Sequence, residues 1–351
     1  MIDLERLFNE AYDLNASDIH ITVGVPPIFR VDGKLVPVES FEVLAPSSTE
    51  EIAMHLMNDY EKSVLNEVGE VDLSYSLHKK GRFRVNAYRQ RGSISVAIRP
   101  IPFETPSLDS LMLPEVLKEM AMKDRGLFLV TGPTGSGKSS TLASMINYIN
   151  NHKTAHIITL EDPIEFLHKH SSSIVDQREI GKDSKSFAGA LRGALRQDPD
   201  IILVGEMRDL ETIQIAITAA ETGHLVLSSL HTNGAVTTVE RIIDVFPPSQ
   251  QQQIKVQLSN VLNGVLSQQL LRRSDNHGRV AACEIMIGNK AVHNNIREGK
   301  THQIMSSIQT GSGDGMISMD NYIVNLYRKK LISYDEALAH CTDKRALNIY
   351  T

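Results

Sequence analysis

Gly126-Leu127-Phe128-Leu129-Val130-Thr131 runs without a break into Gly132-Pro133-Thr134-Gly135-Ser136-Gly137-Lys138-Ser139-Ser140, and this stretch decides the fold class. An apolar strand leads into the pattern G-x-x-x-x-G-K-[ST], and Leu142, Ala143, Ile146 and Ile149 beyond it recur at helical spacing. Glycines at 132, 135 and 137 let the backbone curl so that its N–H groups face inward, toward phosphate oxygens, while the following helix presents its positive end. Lys138 is placed to reach β and γ phosphates, and Ser139 to put its hydroxyl on Mg2+. The residues from Gly132 to Ser140 are therefore the candidate ATP site. Such a pattern arises by chance in about one chain of this length in a hundred, and the strand before it and helix after it reduce that further.

Working outward, short apolar runs alternate with helical stretches. His156 to Leu160, Ile201 to Val204 and Leu225 to Ser229 read as strands, and Phe187 to Arg196 as a helix. This rhythm predicts an α/β fold with a parallel sheet covered on both faces. Beyond Pro247-Pro248 the chain reads as helical, with Ile254, Leu258, Val261, Leu262 and Val265 in register, and Ser333 to Glu336 forms a capping box near the end.

Upstream, Pro100, Pro102, Pro106 and Pro114 mark a stiff connection. The residues before it mix helix and strand. Leu4, Leu7, Phe8 and Ala11 share a helical face, Asp32-Gly33 signals a hairpin, and Thr49 to Leu65 reads as an amphipathic stretch capped by Thr49. Arg82 to Arg89 and Ser93 to Arg99 alternate, joined at Arg91-Gly92, with Arg82, Arg84 and Asn86 on one face of their strand. The expected organisation is a smaller α+β domain over 1–99, a linker over 100–114, a P-loop core over 115–247 and a helical region over 248–351.

Composition narrows the function classes. At 41% hydrophobic and 22% charged residues the chain is globular, which excludes collagenous and wholly disordered classes. A net charge of -6 offers nucleic acid or an anionic membrane no global attraction. Cys283 and Cys341, far apart, give neither a disulfide framework nor a cysteine-based zinc site. The acidic amphipathic start is unlike a signal peptide, and no uncharged apolar run reaches the roughly 18 residues of a membrane span. The expectation is a cytoplasmic protein without membrane insertion.

Hydrolysis needs a group that positions water near the γ-phosphate. Glu161 and Glu206 each follow the carboxyl end of a predicted strand, where open α/β sheets place their ligands. Glu206 reads as a water-polarising base or a Mg2+ ligand, with a surface pair to Arg208 as the alternative. Glu161 reads as its helper, with a structural role beside Pro163 as the alternative. His224 and His231 flank the strand Leu225 to Leu230, and an imidazole at a strand end is able to donate to a γ-phosphate and report its loss. Taken alone, each is more often a structural histidine. Arg82 and Arg84 have the planar charge of arginine fingers, and an arginine-bearing strand face is also a common solubilising edge.

These signals occur together and in order: Ser17-Asp-Ile-His-Ile21, Gly81-Arg-Phe-Arg-Val-Asn86, the P-loop, Ile157-Ile-Thr-Leu-Glu-Asp-Pro-Ile-Glu-Phe166, Arg196-Gln-Asp-Pro-Asp200, Gly205-Glu-Met-Arg-Asp209, and Ala220-Glu-Thr-Gly-His-Leu-Val-Leu-Ser-Ser-Leu-His-Thr-Asn233. The chain resembles, over nearly its whole length, the secretion ATPases of type II secretion and type IV pili. The resemblance implies a PAS-like front domain, a RecA-like core and a homo-hexameric ring that holds ATP between a front domain and its own core. It also implies Glu206 as catalytic acid, Glu161 assisting at metal and water, His231 sensing the γ-phosphate, and front-domain arginines closing over the nucleotide. Extension and secretion members carry an extra N-terminal module and a four-cysteine zinc knuckle, which this chain lacks. Retraction members carry a motif reading AIRNLIRE, partly matched by Ala291-Val-His-Asn-Asn-Ile-Arg-Glu298, with His293 in place of arginine and Asn295 in place of leucine. The implied partners are an inner-membrane pilus platform protein and, indirectly, pilin. An accessory retraction ATPase is the alternative within the family, and a RecA-like nucleic-acid translocase the alternative outside it.

Overall fold

The structure, a computed structural model, describes all residues except 1–2, 32, 78–80, 102–104, 276–277, 345–346 and 348–351. The chain divides into two units, Met1–Glu104 and Thr105–Thr351.

In the first unit, helix α1 (Leu4–Asp13) begins where the Asp3 carboxylate accepts from the Arg6 N–H, and it buries Leu7, Phe8 and Ala11. There follow β1 (Asp18–Ile21), β2 (Ile28–Val31), β3 (Lys34–Pro37), α2 (Pro46–Leu56), α3 (Asp59–Val68), β4 (Glu70–Leu77), β5 (Gly81–Gln90) and β6 (Ser93–Ile101). Among the described residues these strands form an antiparallel sheet ordered β3-β2-β1-β6-β5-β4. Arg91 and Gly92, with φ of 49° and 78°, supply the two positive-φ positions of a tight hairpin turn between β5 and β6. Phe83, Val85 and Ala87 point into the core with Phe8 and Ile19, leaving Arg82, Arg84 and Asn86 on the other face of the strand.

Of four expectations for this region, one lies outside the described residues and three change. The Asp32 half of the Asp32-Gly33 turn lies outside the described residues. Thr49 is not an N-cap: α2 already starts at Pro46, and Thr49 is buried inside it with its hydroxyl donating to the Pro46 carbonyl. The stretch to Leu65 is two helices, because Asn58 and Glu61 make a capping box that starts α3 afresh. Pro100 belongs to β6 and not to a free connection, paired with Phe83. The β1 ladder has stopped at Ile98, leaving one side of Pro100 open, as a strand proline requires.

The second unit contains α4 (Val116–Ala121), β7 (Gly126–Thr131), α5 (Lys138–His152), β8 (His156–Glu161), β9 (Ile174–Glu179), α6 (Phe187–Ala194), β10 (Ile201–Val204), α7 (Leu210–Glu221), β11 (Leu225–Leu230), α8 (Ala235–Asp244), α9 (Pro248–Val261), β12 (Leu262–Arg272), β13 (Arg279–Ile287), α10 (Lys290–Arg297), α11 (Ile304–Thr310), α12 (Met319–Arg328) and α13 (Tyr334–His340). The sheet order is β13-β12-β7-β11-β10-β8-β9, parallel except for β13. Side chains alternate between two apolar layers. Leu127, Leu129, Ile202 and Val226 pack toward α7, α8 and α9, whereas Phe128, Val130, Leu203 and Leu227 pack toward α4 and α5. Burial on both faces is what makes these strands read as continuous apolar runs.

The region beyond Pro248 differs from the helical expectation. The helical register read through Val265 ends at Val261, and β12 and β13 add an antiparallel hairpin to the edge of the core sheet. Gly264 explains the change. A Cβ there would lie 2.6 Å from the Met286 carbonyl and 3.1 Å from the Phe128 ring, so only glycine permits strands to approach this closely, and the ladder shifts register beside it.

Candidate active site

The turn after β7 has the backbone that its glycines allow. Gly132, Gly135 and Gly137 all have positive φ, and Gly137 ends the loop as the N-cap of α5. A Cβ on Gly132 would fall 2.2 Å from the Gln268 carbonyl, so the loop closes down on β12. Pro133, Thr134 and Gly135 are exposed, as is Ser139 in the first turn of α5, while Ser140 is half-buried.

Lys138 is only 9% exposed. Its Nζ donates to the carbonyls of Gly132 at 2.9 Å and Pro133 at 3.1 Å. Burial pushes the ammonium's pKa down, opposed by the nearby Glu206 and Glu165 carboxylates. Among the described residues the Ser136 hydroxyl is buried without a hydrogen-bond partner, as is that of Thr131 at the end of β7. A glycine-rich loop, a buried ammonium donating to the loop's own carbonyls and orphaned hydroxyls together fit a phosphate group.

From Lys138 a line of groups crosses the ends of the central strands. Its Nζ lies 3.5 Å from His231 Nδ1, and His231 Nε2 lies 3.4 Å from Glu206 Oε1. Arg208 Nε donates to the same Glu206 oxygen at 2.6 Å. Partial burial acts to raise the Glu206 pKa, but Arg208 and His231 outweigh it and hold the carboxyl below its usual range. Gly205 brings this strand end close to its neighbour: its N–H donates to the Leu160 carbonyl at 2.7 Å, and a Cβ would sit 3.4 Å from the Glu161 Cα. Ser228 and Ser229 of β11 clamp the other side by donating to the carbonyls of Val204 and Gly205.

Glu161 behaves differently. Burial pushes its carboxyl up, against the hydrogen bonds from Thr159 at 2.6 Å and Gln177 at 3.2 Å. Two carboxylates at adjacent strand ends thus have opposite tendencies, one favouring the proton and one refusing it. Among the described residues no cluster of three or more His, Cys, Asp or Glu side chains is arranged to hold a metal. Mg2+ bound through phosphates, one hydroxyl and water does not need such a cluster.

The structure brings together the loop from Gly132 to Ser140 with His231 and Glu206, and places Glu161 on the adjoining strand end. It does not bring His224 there. His224 precedes β11, at the opposite end from His231, roughly 20 Å away by strand rise, with Nδ1 donating to the Ala219 carbonyl at 2.9 Å. Arg82 and Arg84 belong to β5 of the first unit, where Arg84 is exposed and faces Arg99 across the sheet. The two departures in α10 have internal partners: His293 Nε2 donates to the Leu262 carbonyl at 3.0 Å, and Asn295 donates to the Ser307 hydroxyl.

Gln268 was not anticipated. It sits in β12, 2% exposed, with both ends of its amide used. Oε1 accepts from the Thr141 hydroxyl of α5 at 2.8 Å, and Nε2 donates to the Ser136 carbonyl at 2.6 Å. Because a peptide is planar and trans, aiming the Ser136 carbonyl at Gln268 aims the Gly137 N–H the opposite way. The sequence signal was a polar Ser267-Gln268-Gln269 run within an otherwise apolar stretch, which only a strand assignment makes legible.

Comparison with known proteins places this geometry. A family model described as "Type II/IV secretion system protein" matches residues 1–324. The chain is similar to the "Type IV pilus retractation ATPase PilT" of Pseudomonas aeruginosa, 46% identical over 341 residues, covering 96% of this chain and 97% of that one. It is also 46% identical over 344 residues to a "Twitching motility protein" of Neisseria gonorrhoeae, covering 95% and 91%. Among solved structures, the pilus retraction motor PilT with bound ADP superposes with a TM-score of 0.93 at 47% identity, covering 99% of this chain and 100% of that one.

Proposed function

Since the chain belongs to the type II/IV secretion system protein family and is an ATPase of it, we propose that it hydrolyses ATP to power type IV pilus retraction, and with it twitching motility. The observation that carries the reading is the line Lys138–His231–Glu206 across the P-loop, in a chain alike over nearly its full length to retraction ATPases.

The backbone amides of the loop bind the phosphates, and Lys138 exchanges the Gly132 and Pro133 carbonyls for β and γ oxygens. Glu206, kept ionised by Arg208 and His231, accepts a hydrogen bond from the attacking water and aligns it. A carboxyl this acidic orients water and leaves its proton to pass on to phosphate. His231 touches both Lys138 and Glu206, so arrival or loss of the γ-phosphate beside Lys138 changes its surroundings. Ser139 would hold Mg2+, with Glu161 and Glu206 reaching it directly or through water, and the ion would neutralise charge developing on the phosphate oxygens. Arg82 and Arg84 are the candidates for closing planar charge over the nucleotide.

The working form we propose is a homo-hexamer at the cytoplasmic face of the pilus machine, acting on a platform protein and through it on pilin. No helix among the described residues is long and apolar enough to cross a membrane. Deletion in the host followed by imaging of pilus dynamics tests the reading: long pili that do not retract are expected, and cells without pili would contradict it.

A further inference from the structure

The loop that carries His231 ends in a seat built by the β12–β13 hairpin. Ser267 and Glu284 are register partners across that hairpin. The Ser267 hydroxyl accepts from the Gly234 N–H at 2.9 Å, and Glu284 Oε1 accepts from the Ala235 N–H at 2.8 Å. Gly234 itself fits closely, since a Cβ there would meet Glu284 Oε1 at 3.4 Å. The N-cap of α8 is this glycine and offers no side-chain bond, so the start of α8 is capped from outside, by Glu284.

The strand that carries this carboxylate is also tied to a second helix start. Ser318, the N-cap of α12, makes no side-chain cap bond, and just before it Ile317 exchanges backbone hydrogen bonds with Ile285, the neighbour of Glu284, at 2.8 and 3.2 Å. The buried Glu284 carboxylate, 4% exposed, thus caps α8 directly while its strand is joined to the chain entering α12; burial pushes its pKa up, opposed by the backbone of Ala235 and of Met319. Behind α12 stands α13: Asp320, in the first turn of α12, accepts from the Thr342 and Asp343 N–H groups that follow α13. Only three residues separate His231 from Ala235.

We propose that Glu284 is a positioning residue that holds the His231 loop against the β12–β13 hairpin and couples its position to α12 and α13. The proposal rests on the reading of His231 as the group that meets the γ-phosphate. A shift of His231 moves Gly234 and Ala235, and Glu284 then either follows them, drawing along β13 and the paired Ile317 at the entrance of α12, or releases α8 and leaves its start uncapped. Glutamine at this position keeps one oxygen acceptor but loses the charge, and its amino group repels backbone N–H groups, so it holds the Ala235 N–H more weakly and loosens the link.

The test uses the full-length protein with ADP–beryllium fluoride and with ADP, comparing hydrogen exchange in peptides spanning 231–240 and 317–325, alongside steady-state ATP hydrolysis. In the wild type both peptides are expected to respond to the change of nucleotide. In Glu284→Gln the response at 317–325 disappears and kcat falls about tenfold with KM within about twofold, because the P-loop is anchored independently through Gln268. If Glu284→Gln does not fold, Ser267→Ala, which removes only the Gly234 acceptor, is expected to lower kcat about threefold with KM unchanged and to raise exchange at 231–240. An unaltered kcat, or a nucleotide response at 317–325 that survives in Glu284→Gln, would overturn the proposal; so would an unaltered Ser267→Ala. A wild type that releases no phosphate would instead sink the ATPase reading, while the exchange data still report on the coupling.

Discussion

Replacing Gln268 by methionine, which keeps the length and volume of the side chain, removes both bonds of the P-loop clamp and isolates their effect. The Thr141 hydroxyl loses its acceptor but is able to turn to the Gly137 carbonyl one helical turn back, so its loss is limited to about 0.5–1 kcal/mol. The buried Ser136 carbonyl loses the Gln268 amide and becomes a stranded acceptor, at a cost of about 1–3 kcal/mol. Together Gln268→Met should destabilise the second unit by about 1.5–4 kcal/mol, which for a unit of this size lowers its melting temperature by about 3–15 °C. The Gly137 N–H also loses its fixed aim, so ADP binding should weaken about tenfold, equivalent to about 1.4 kcal/mol. Thermal unfolding of the nucleotide-free protein and titration with a fluorescent ADP analogue read the two effects separately. Thr141→Val, which breaks only the helix half of the clamp and leaves the buried Gln268 Oε1 without its donor, should lose about 1–3 kcal/mol of stability but keep nearly normal ADP affinity. Wild-type melting and wild-type affinity in Gln268→Met would refute the clamp.

Glu161→Gln tests the buried carboxyl by pH. Because burial raises the Glu161 pKa in the fold, stability associated with its protonated form is present below the unfolded value of about 4.3 and is lost as pH rises through the folded value. The nucleotide-free Glu161→Gln protein should therefore melt above the wild type at pH 7.5, with the gap closing as the solution is acidified; a constant gap, or a lower melting temperature at pH 7.5, counts against the assignment. His224→Ala should leave kcat and KM within about twofold while costing about 0.5–1.5 kcal/mol through the lost bond to Ala219, as measured by melting and kinetics. Loss of nucleotide binding in that variant would return His224 to the site.

The core was legible because its strands are buried on both faces: Gly126 to Thr131 and Leu225 to Leu230 read as apolar runs and are strands. The P-loop was legible because its chemistry requires particular residues at fixed spacing. The β12–β13 hairpin was not, because Ile254 to Val265 satisfies a helical period by chance at its end, and the evidence against it is a tertiary contact, the approach of Gly264 to Met286 and Phe128. Gln268, Ser267 and Glu284 were hidden by the same misassignment, since a polar side chain on a helix is ordinary and one inside a central sheet demands a partner. His224 misled because both histidines flank one strand, and periodicity does not say which strand end meets the phosphate loop. The parallel pairing of β11 with β7 does, since Leu230 lies opposite Thr131 and Leu225 opposite Gly126.

The central claim is that Glu206 aligns the attacking water over a P-loop that binds ATP without it. Phosphate release by purified Glu206→Gln at saturating ATP, with nucleotide affinity measured on the same sample and Lys138→Ala as the variant that should lose binding, tests this directly. The account predicts that Glu206→Gln binds ATP within a few-fold of the wild type and turns over at least about 100-fold more slowly. Release at the wild-type rate from Glu206→Gln would contradict it.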